Sequence, residues 1–440
     1  MRILVVGGGG REHALCWALK RDTPEATLFA APGNPGTAQL GSNLAIPATA
    51  VDALVAAVRE RRIDLTIVGP EAPLAAGLAD RLRAAGHAVF GPSRAAARIE
   101  SSKAFAKDVM RRAGVPTPES RSFTVLAPAL AYIRAHAEPL VVKASGLAAG
   151  KGAVVCGTRE EAARTARAML VEGALGDAGR EIVVEDFLEG EELSVLALTD
   201  GERMLVLPAA QDHKRLGDGD TGPNTGGMGA YCPVSCATSE LLERVRRQVL
   251  EPTIRELAQG GAPYQGVLYA GLMLVPPPPP PPSTDGTLYA LEFNCRLGDP
   301  EAQAVLPVLP RGVTRHLADI AAGGWNPVET SIAATGGRAA VATVLAAPGY
   351  PEKPELGAAI LVPRDVEPGT LLFHAGTFRD PDGTLRVHGG RVLTVTGLGE
   401  TVPQAAERSA TACERIAFQG KTWRRDIGWR EIQRAGAARG

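Results

Sequence analysis

Glu292, Asn294 and Arg296 alternate along the otherwise apolar run ALEFNCR. In an extended strand, residues two apart project from one face. A carboxylate, an amide oxygen and a guanidinium would therefore look the same way. The two oxygens suit magnesium, which takes few protein ligands and keeps waters and phosphate oxygens. An arginine beside them can neutralise a phosphoryl group in transfer. A second stretch, VVKASGLAAGKGAVV at 141–155, sets Lys143 in an apolar strand and follows it with Gly146, Gly150, Lys151 and Gly152. Glycines permit close backbone approach and hinge motion. Lys143 can hold a phosphate oxygen as a point charge.

The second stretch is not a P-loop. That motif has four residues between its first glycine and Gly-Lys, then Ser or Thr for the metal. Here three residues separate Gly146 from Gly150, and Gly152 follows Lys151. The flanks at 140–144 and 152–156 read instead as a hairpin that folds down over phosphates. At the N-terminus, VVGGGGREHAL offers Gly7 and Gly9, half of a dinucleotide fingerprint. Glu12 stands where the third glycine belongs, and the second strand ends in AAPG without the acidic residue that holds a ribose. NAD is not expected, although a glycine loop at a helix start still suits a phosphate. Asp212-His213-Lys214 lacks any accompanying nucleophile motif and does not read as a hydrolase relay.

These residues need elements to hold them. Apolar runs at 3–6, 27–31 and 65–68 alternate with helical patterns at 11–21, 51–62 and 74–85, which predicts a doubly wound parallel sheet with its ligand edge at the strand ends. Residues 94–113 read as one long helix, and GVPTPES marks a boundary. Strand pairs 140–144/152–156 and 182–185/194–198 around a helix near 159–171 predict a compact α+β unit. A polar, glycine-rich stretch at 211–230 and a helix at 238–258 follow. Strands 266–275 and 287–293 flank seven prolines at 276–282, read as an exposed polyproline bulge on a hairpin. After 330 come AAVATVLAA, AAILVP, TLLFHAGTF and GGRVLTVTGLG, then a helix at 403–417, read as a separate small domain.

The 440 residues exceed one core and predict two to four domains. A net charge of −1 with interspersed signs marks no nucleic-acid or membrane binder. No stretch has the apolar length of a membrane span, and the first apolar run is too short for a signal peptide. Cys232 and Cys236 are the only close cysteine pair, with no second pair to complete a zinc site, so free thiols in a reducing cytoplasm are expected.

Lys103 in ESSKAFAK, Lys143 before the glycine hairpin, VVEDFLEGEELS and EFN, in that order, resemble the ATP-grasp enzymes. More closely, the chain is similar to the phosphoribosylamine–glycine ligase family along essentially its whole length. VVGGGGREHAL, APGNPG, VGPEAPLAAGLAD, DHKRLGDGDTGPNTGGMGAY, GDPE, FHAGT and RRDIG carry the likeness, and DHKR followed by GPNTGGMGAY is its most specific part. The resemblance implies an α/β and α+β multidomain fold. A doubly wound N-terminal domain would span 1–100, an ATP-grasp domain 101–325 with an ATP-lid part at 120–195, and a small mostly β domain 326–440.

It also implies roles. Lys103 and Lys143 would contact ATP phosphates under the hairpin of Gly146, Gly150, Lys151 and Gly152. Glu185 would bind the adenine amine, the backbone near Leu188 the ring edge, and Glu192 the ribose hydroxyls. Glu292 and Asn294 would ligate Mg²⁺ or Mn²⁺. Gly9, Asn34, Gly36, Asn224, Thr225 and Gly226 would surround the substrates, with Asp212, Lys214 and Arg296 at the chemistry. The implied reaction joins glycine to 5-phosphoribosylamine through glycyl phosphate, releasing ADP and phosphate, in the second step of de novo purine biosynthesis. A cytoplasmic monomer with small-molecule partners is expected. Ser145 replaces the family's usual Asp, and Leu297 its usual aromatic. Another ATP-grasp ligase and a nicotinamide oxidoreductase on the N-terminal sheet are the competing readings.

Overall fold

The computed structural model describes residues 1–148, 150–276, 286–327 and 335–437. Its first hundred residues bury apolar β-rich runs behind a half-buried Arg2. RILVVG and LTIV become Arg2–Gly7 and Leu65–Val68, two of the three inner strands of a five-stranded parallel sheet. The order is Ser42–Asn43, Thr27–Pro32, Arg2–Gly7, Leu65–Val68, Val89–Phe90, with Ile3 opposite both Leu28 and Leu65. Strand order reverses about Arg2–Gly7, so the crevice outside its C-terminal end opens at Gly7–Gly9.

Two expected helices are broken. The 74–85 helix is Glu71–Ala75 and Leu78–Ala84, parted at Gly77, whose φ of +86° favours glycine. The 94–113 helix is Arg94–Ser101 and Lys103–Ala113. Ser102 between them is extended, and its Oγ accepts from the Phe105 amide.

The 140–144/152–156 hairpin forms as Leu140–Ala144 and Ala153–Cys156, with Lys143 opposite Ala153. The other expected pair does not form. Ile182–Asp186 lies between Ser120–Phe123 and Leu140–Ala144, in a four-stranded antiparallel sheet. Its helices Leu126–Ala135 and Arg159–Leu170 pack a core of their own around Ile133, Val142, Ala166 and Val184. Glu191–Thr199 leaves for a second sheet with Met204–Val206, Gly266–Val275 and Thr287–Asn294. Both candidate strands are apolar, so side-chain pattern did not select their partners.

Gly266–Val275 and Thr287–Asn294 pair as the expected hairpin. Of the proline run only Pro276 is among the described residues. The C-terminal strands share a five-stranded sheet with earlier chain: Gln211–Asp212, Gly229–Cys232, Ala339–Ala346, Arg391–Gly399 and Thr370–His374. Gly229–Cys232 pairs antiparallel with Ala339–Ala346. The 211–230 stretch also holds a small ribbon, Arg215–Gly217 against Thr221–Asn224. AAILVP forms only isolated bridges at Ala359 and Leu361. Helix 238–258 runs as Ser239–Val245, a wider turn Arg246–Leu250 and Glu251–Gln259. Glu301–Val308 and Val313–Ala322 are helices that the sequence pattern did not predict. Among the described residues no helix is long and apolar enough to cross a membrane.

Candidate active site

In Thr287–Asn294, Leu288 and Ala290 face the core, and unbroken alternation would send Glu292 and Asn294 inward as well. A bulge prevents this: Gly271 opposes Glu292 while the next residue, Leu272, opposes Ala290. Leu291 is the extra residue, and the face switches. Phe293 and Cys295 take the core side, leaving Glu292, Asn294 and Arg296 on a cavity of about 390 Å³. The bulge also presents the Leu291 carbonyl to Lys143, whose Nζ donates to it at 3.3 Å.

The cavity gathers residues from every part of the chain. Lys103, Lys143, Gly150, Gly152, Asp212, Lys214 and the loop Asn224–Gly226 line it with Glu292, Asn294 and Arg296. Burial raises the Glu292 carboxyl, but Lys214, Lys143, Lys103 and Arg296 outweigh it and hold the group below its usual range. Burial lowers Lys103, against the pull of Glu292. Lys214 pairs with Glu192 and lies 3.7 Å from Asp212. Burial raises Asp212, Lys214 opposes this, and the neighbouring Glu301, Glu192 and Glu292 push it further up. Arg296 lies 2.7 Å from Glu100 and 3.4 Å from Glu71. The other Glu100 oxygen accepts from the Cys295 amide at 2.7 Å, which ties the strand end to the preceding helix.

Glu185 is only 2% exposed, and its carboxylate is spent on Lys143 and on Lys107 at 2.6 Å. Burial would raise it, but the two lysines keep it low. In this arrangement each of its oxygens faces one lysine. Lys107 also donates to Thr117 Oγ1 at 2.7 Å, and burial pushes it down to about 8 despite Glu185.

Other predicted residues stand off the cavity wall. Gly146 packs on Ala178, whose carbonyl accepts its amide at 3.1 Å. Lys151 is exposed, Leu188 half-buried, and Glu192 touches the site through Lys214. Gly9, Asn34 and Gly36 form the adjoining loop scaffold. The Asn34 amide donates to the Gly8, Gly9 and His374 carbonyls, while its Oδ1 accepts from the Gly36 and Thr37 amides. A Cβ on Gly36 would lie 2.1 Å from His13, so only glycine fits. Thr225 Oγ1 donates to the Lys214 carbonyl at 2.8 Å and accepts from the Gly227 amide at 3.0 Å, which fixes the loop from inside.

Arg11, Glu71, Glu100, Lys107, Tyr269, Asp299, Glu301 and Arg391 also line the cavity and were not singled out from the sequence. Lys107 follows Lys103 by four residues, a helical spacing that puts both on one face. Asp299 and Glu301 lie within GDPE, next to the predicted Arg296. The rest arrive from distant segments.

The residues fit a nucleotide with a hard cation. Among the described residues no hydrogen bond occupies the Glu292 carboxylate, and Asn294 donates its Nδ2 to the Phe293 carbonyl, leaving Oδ1 for an ion. No group of three or more His, Cys, Asp and Glu side chains converges among the described residues. Two oxygen donors leave coordination positions for waters and phosphates. Ile99, Ala106 and Met110 add an apolar part of the wall, suited to a base. The six cysteines are free thiols.

Known proteins share this architecture. Models of the phosphoribosylglycinamide synthetase N domain, ATP-grasp (A) domain and C domain match residues 1–100, 101–302 and 340–430. Phosphoribosylamine–glycine ligase of Vibrio cholerae is 45% identical over 99% of both chains, and that of Yersinia pestis 46% over 99% of this chain and 100% of its own. The crystal structure of the Thermotoga maritima phosphoribosylamine–glycine ligase superposes with a TM-score of 0.84 at 34% identity, covering 97% of this chain and all of the other. A biotin carboxylase domain of Hydrogenobacter thermophilus 2-oxoglutarate carboxylase, solved with MgADP, shares the fold at a TM-score of 0.73 and 17% identity, over 96% of this chain and 91% of its own. With all three family models matched and such relatives along nearly its full length, the chain belongs to the phosphoribosylglycinamide synthetase family.

Proposed function

We propose that this chain joins the carboxylate of glycine to the amine of 5-phosphoribosylamine, using ATP and yielding glycinamide ribonucleotide, ADP and phosphate. This is the second step of de novo purine biosynthesis. One observation carries the reading: the Glu292–Asn294 oxygen pair shares a cavity with Lys103, Lys143, Lys214 and Arg296 and with the Asn224–Gly226 loop.

A carboxylate is a poor electrophile, and glycyl phosphate is its activated form. Lys103 and Lys143 would hold phosphate oxygens, with Glu185 and Lys107 keeping Lys143 in place. Glu292 and Asn294 would ligate Mg²⁺ or Mn²⁺, which when bound draws charge from the phosphate oxygens. Arg296, braced by Glu100 and Glu71, would face the transferring group. The amine then attacks the acyl carbon and phosphate leaves. Asp212, raised toward protonation beside Lys214, is the group we assign to receive the proton that the amine sheds. Gly150 and Gly152 let the hairpin backbone approach the phosphates, and the tip lies close to the substrate loop: a Cβ on Gly150 would be 3.3 Å from Gly226 Cα.

We assign residues 1–100, 101–325 and 326–440 as the working units, with 120–195 over the nucleotide. The separate core around Val142 and Val184 supports that last unit. We place the enzyme in the cytoplasm as a monomer. Sedimentation at micromolar concentration tests the monomer. The reaction is tested by ADP release with each substrate omitted in turn. Release should require ATP, glycine and phosphoribosylamine together. Release without glycine would sink the assignment.

A further inference from the structure

Arg391 opens the strand Arg391–Gly399, far in sequence from the other cavity residues, yet its guanidinium reaches the cavity wall. Its Nη1 donates to the Gly226 carbonyl and to the Asp299 carbonyl, each at 2.7 Å, and its Nη2 lies 3.1 Å from Asp299 Oδ2. The Gly226 amide is held from the same side, donating to Tyr350 Oη at 3.0 Å. Both main-chain groups of Gly226 thus end on side chains of the C-terminal segment. The loop has no regular pairing at this point, since the strand Thr221–Asn224 stops short of it and Gly229–Cys232 begins after it. The corner that Arg391 braces adjoins the N-terminal sheet: a Cβ on Gly9 would lie 3.5 Å from Asp299 Oδ2.

We infer that Arg391 is a positioning residue for the phosphoribosylamine subsite, holding the Asn224–Gly226 loop and Asp299 in one fixed geometry. This rests on the ligase reading above. Arg391 acts through main-chain groups and one carboxylate, so it sets where the acceptor sits while the phosphate-holding lysines stay in place. A planar guanidinium bridges three oxygens at once; an ammonium on a flexible stem is a point charge and does not reproduce that fork. Tyr350 is the second half of the brace.

The test is steady-state kinetics of the full chain with Arg391→Ala, Arg391→Lys and Tyr350→Phe. Arg391→Ala should raise the KM for phosphoribosylamine about tenfold or more and leave the KM for ATP within about twofold, as loss of charged hydrogen bonds on one subsite requires. Millimolar guanidinium chloride should restore part of the lost affinity in Arg391→Ala, and Arg391→Lys should remain impaired. Tyr350→Phe should give the same selective rise, smaller in size, and carries the test if Arg391→Ala does not fold. An unchanged phosphoribosylamine KM in a wild-type background that ligates, or an equal rise in the ATP KM, overturns this inference alone. A wild-type chain that releases no ADP with all three substrates overturns the ligase reading and this inference with it.

Discussion

Glu292 is the residue on which the cavity's charge balances. Four cations face it, and their attraction exceeds the cost of its burial. Removing the carboxylate leaves those cations to repel one another and deletes one of two oxygen donors. Glu292→Ala and Lys143→Ala should lower the ligation rate by about 10³-fold or more, in line with loss of a preorganised charge at the transition state. Far-UV circular dichroism should remain that of the wild type, and wild-type ADP release in either variant would refute the assigned roles. Lys107 is a different case. It is buried against Glu185, a 2.6 Å pair inside the protein, and contacts no cavity carboxylate directly. Lys107→Met leaves Glu185 paired with Lys143 but deletes one of its two cations and the donor to Thr117, so it should cost about 1–3 kcal/mol in urea unfolding. Combining it with Glu185→Gln should deepen the loss, because buried Lys143 then has no carboxylate partner. A cost below about 1 kcal/mol, the range of exposed pairs, would contradict the buried geometry.

Ser145 shows how elements place these residues. It follows the strand Leu140–Ala144 and reaches the start of the helix Lys103–Ala113. Its Oγ accepts from the Ala104 amide at 3.1 Å, and its carbonyl accepts from the Lys103 amide at 2.8 Å. The residue that departs from the family pattern therefore still caps the helix that carries Lys103 and Lys107, a task a carboxylate could also perform. Ser145→Ala should cost about 1 kcal/mol of stability, the usual loss for a removed cap. It should also raise the KM for ATP, because Lys103 sits on the first turn. Urea unfolding and ATP titration check both, and an unaltered unfolding midpoint would remove the cap from the account. Strands with an unbroken apolar pattern were legible in the sequence: Arg2–Gly7, Leu65–Val68 and Gly266–Val275 lie where the pattern put them. The break at Ser102 was not, because the apolar pattern continues across it and only the cap geometry reveals it. The bulge at Leu291 was invisible too. The same-face prediction for Glu292, Asn294 and Arg296 held, but which face they occupy depends on an extra residue that alternation cannot signal. Partner choice for Ile182–Asp186 depended on tertiary packing. Arg391 and Glu100 reached the site only through the fold.

At the scale of the whole molecule, distant segments meet at seams that contain buried histidines. His13, on the first helix, accepts at Nδ1 from the His374 amide at 2.8 Å, and Asn34 donates to the His374 carbonyl. His213, beside Lys214, accepts at Nε2 from the Gly428 amide at 3.3 Å. Burial, with His374 adding repulsion, lowers His13 from 6.5 to about 3. Burial, with Arg379 adding to it, lowers His374 to about 4. Burial and Arg424 lower His213 to about 4, with Asp220 and Asp426 opposing. The unfolded chain takes up these protons near pH 6.5, while the folded chain refuses them until about pH 4. Their contribution to stability is therefore complete above 6.5 and is lost as pH falls through 6.5 toward 4. Each such histidine removes about 1.4 kcal/mol per pH unit once pH is well below 6.5. Three acting together remove roughly 4 kcal/mol per unit, and a typical domain has only about 5–15 kcal/mol to lose. The urea midpoint should fall steeply from pH 6.5 to 5, with the N- and C-terminal segments separating at the His13–His374 seam. His13→Gln should remove about a third of that slope, since one of three titrations is gone. A midpoint that stays flat between pH 7 and 5, or a slope that His13→Gln leaves unchanged, would show that the seam histidines do not govern acid stability.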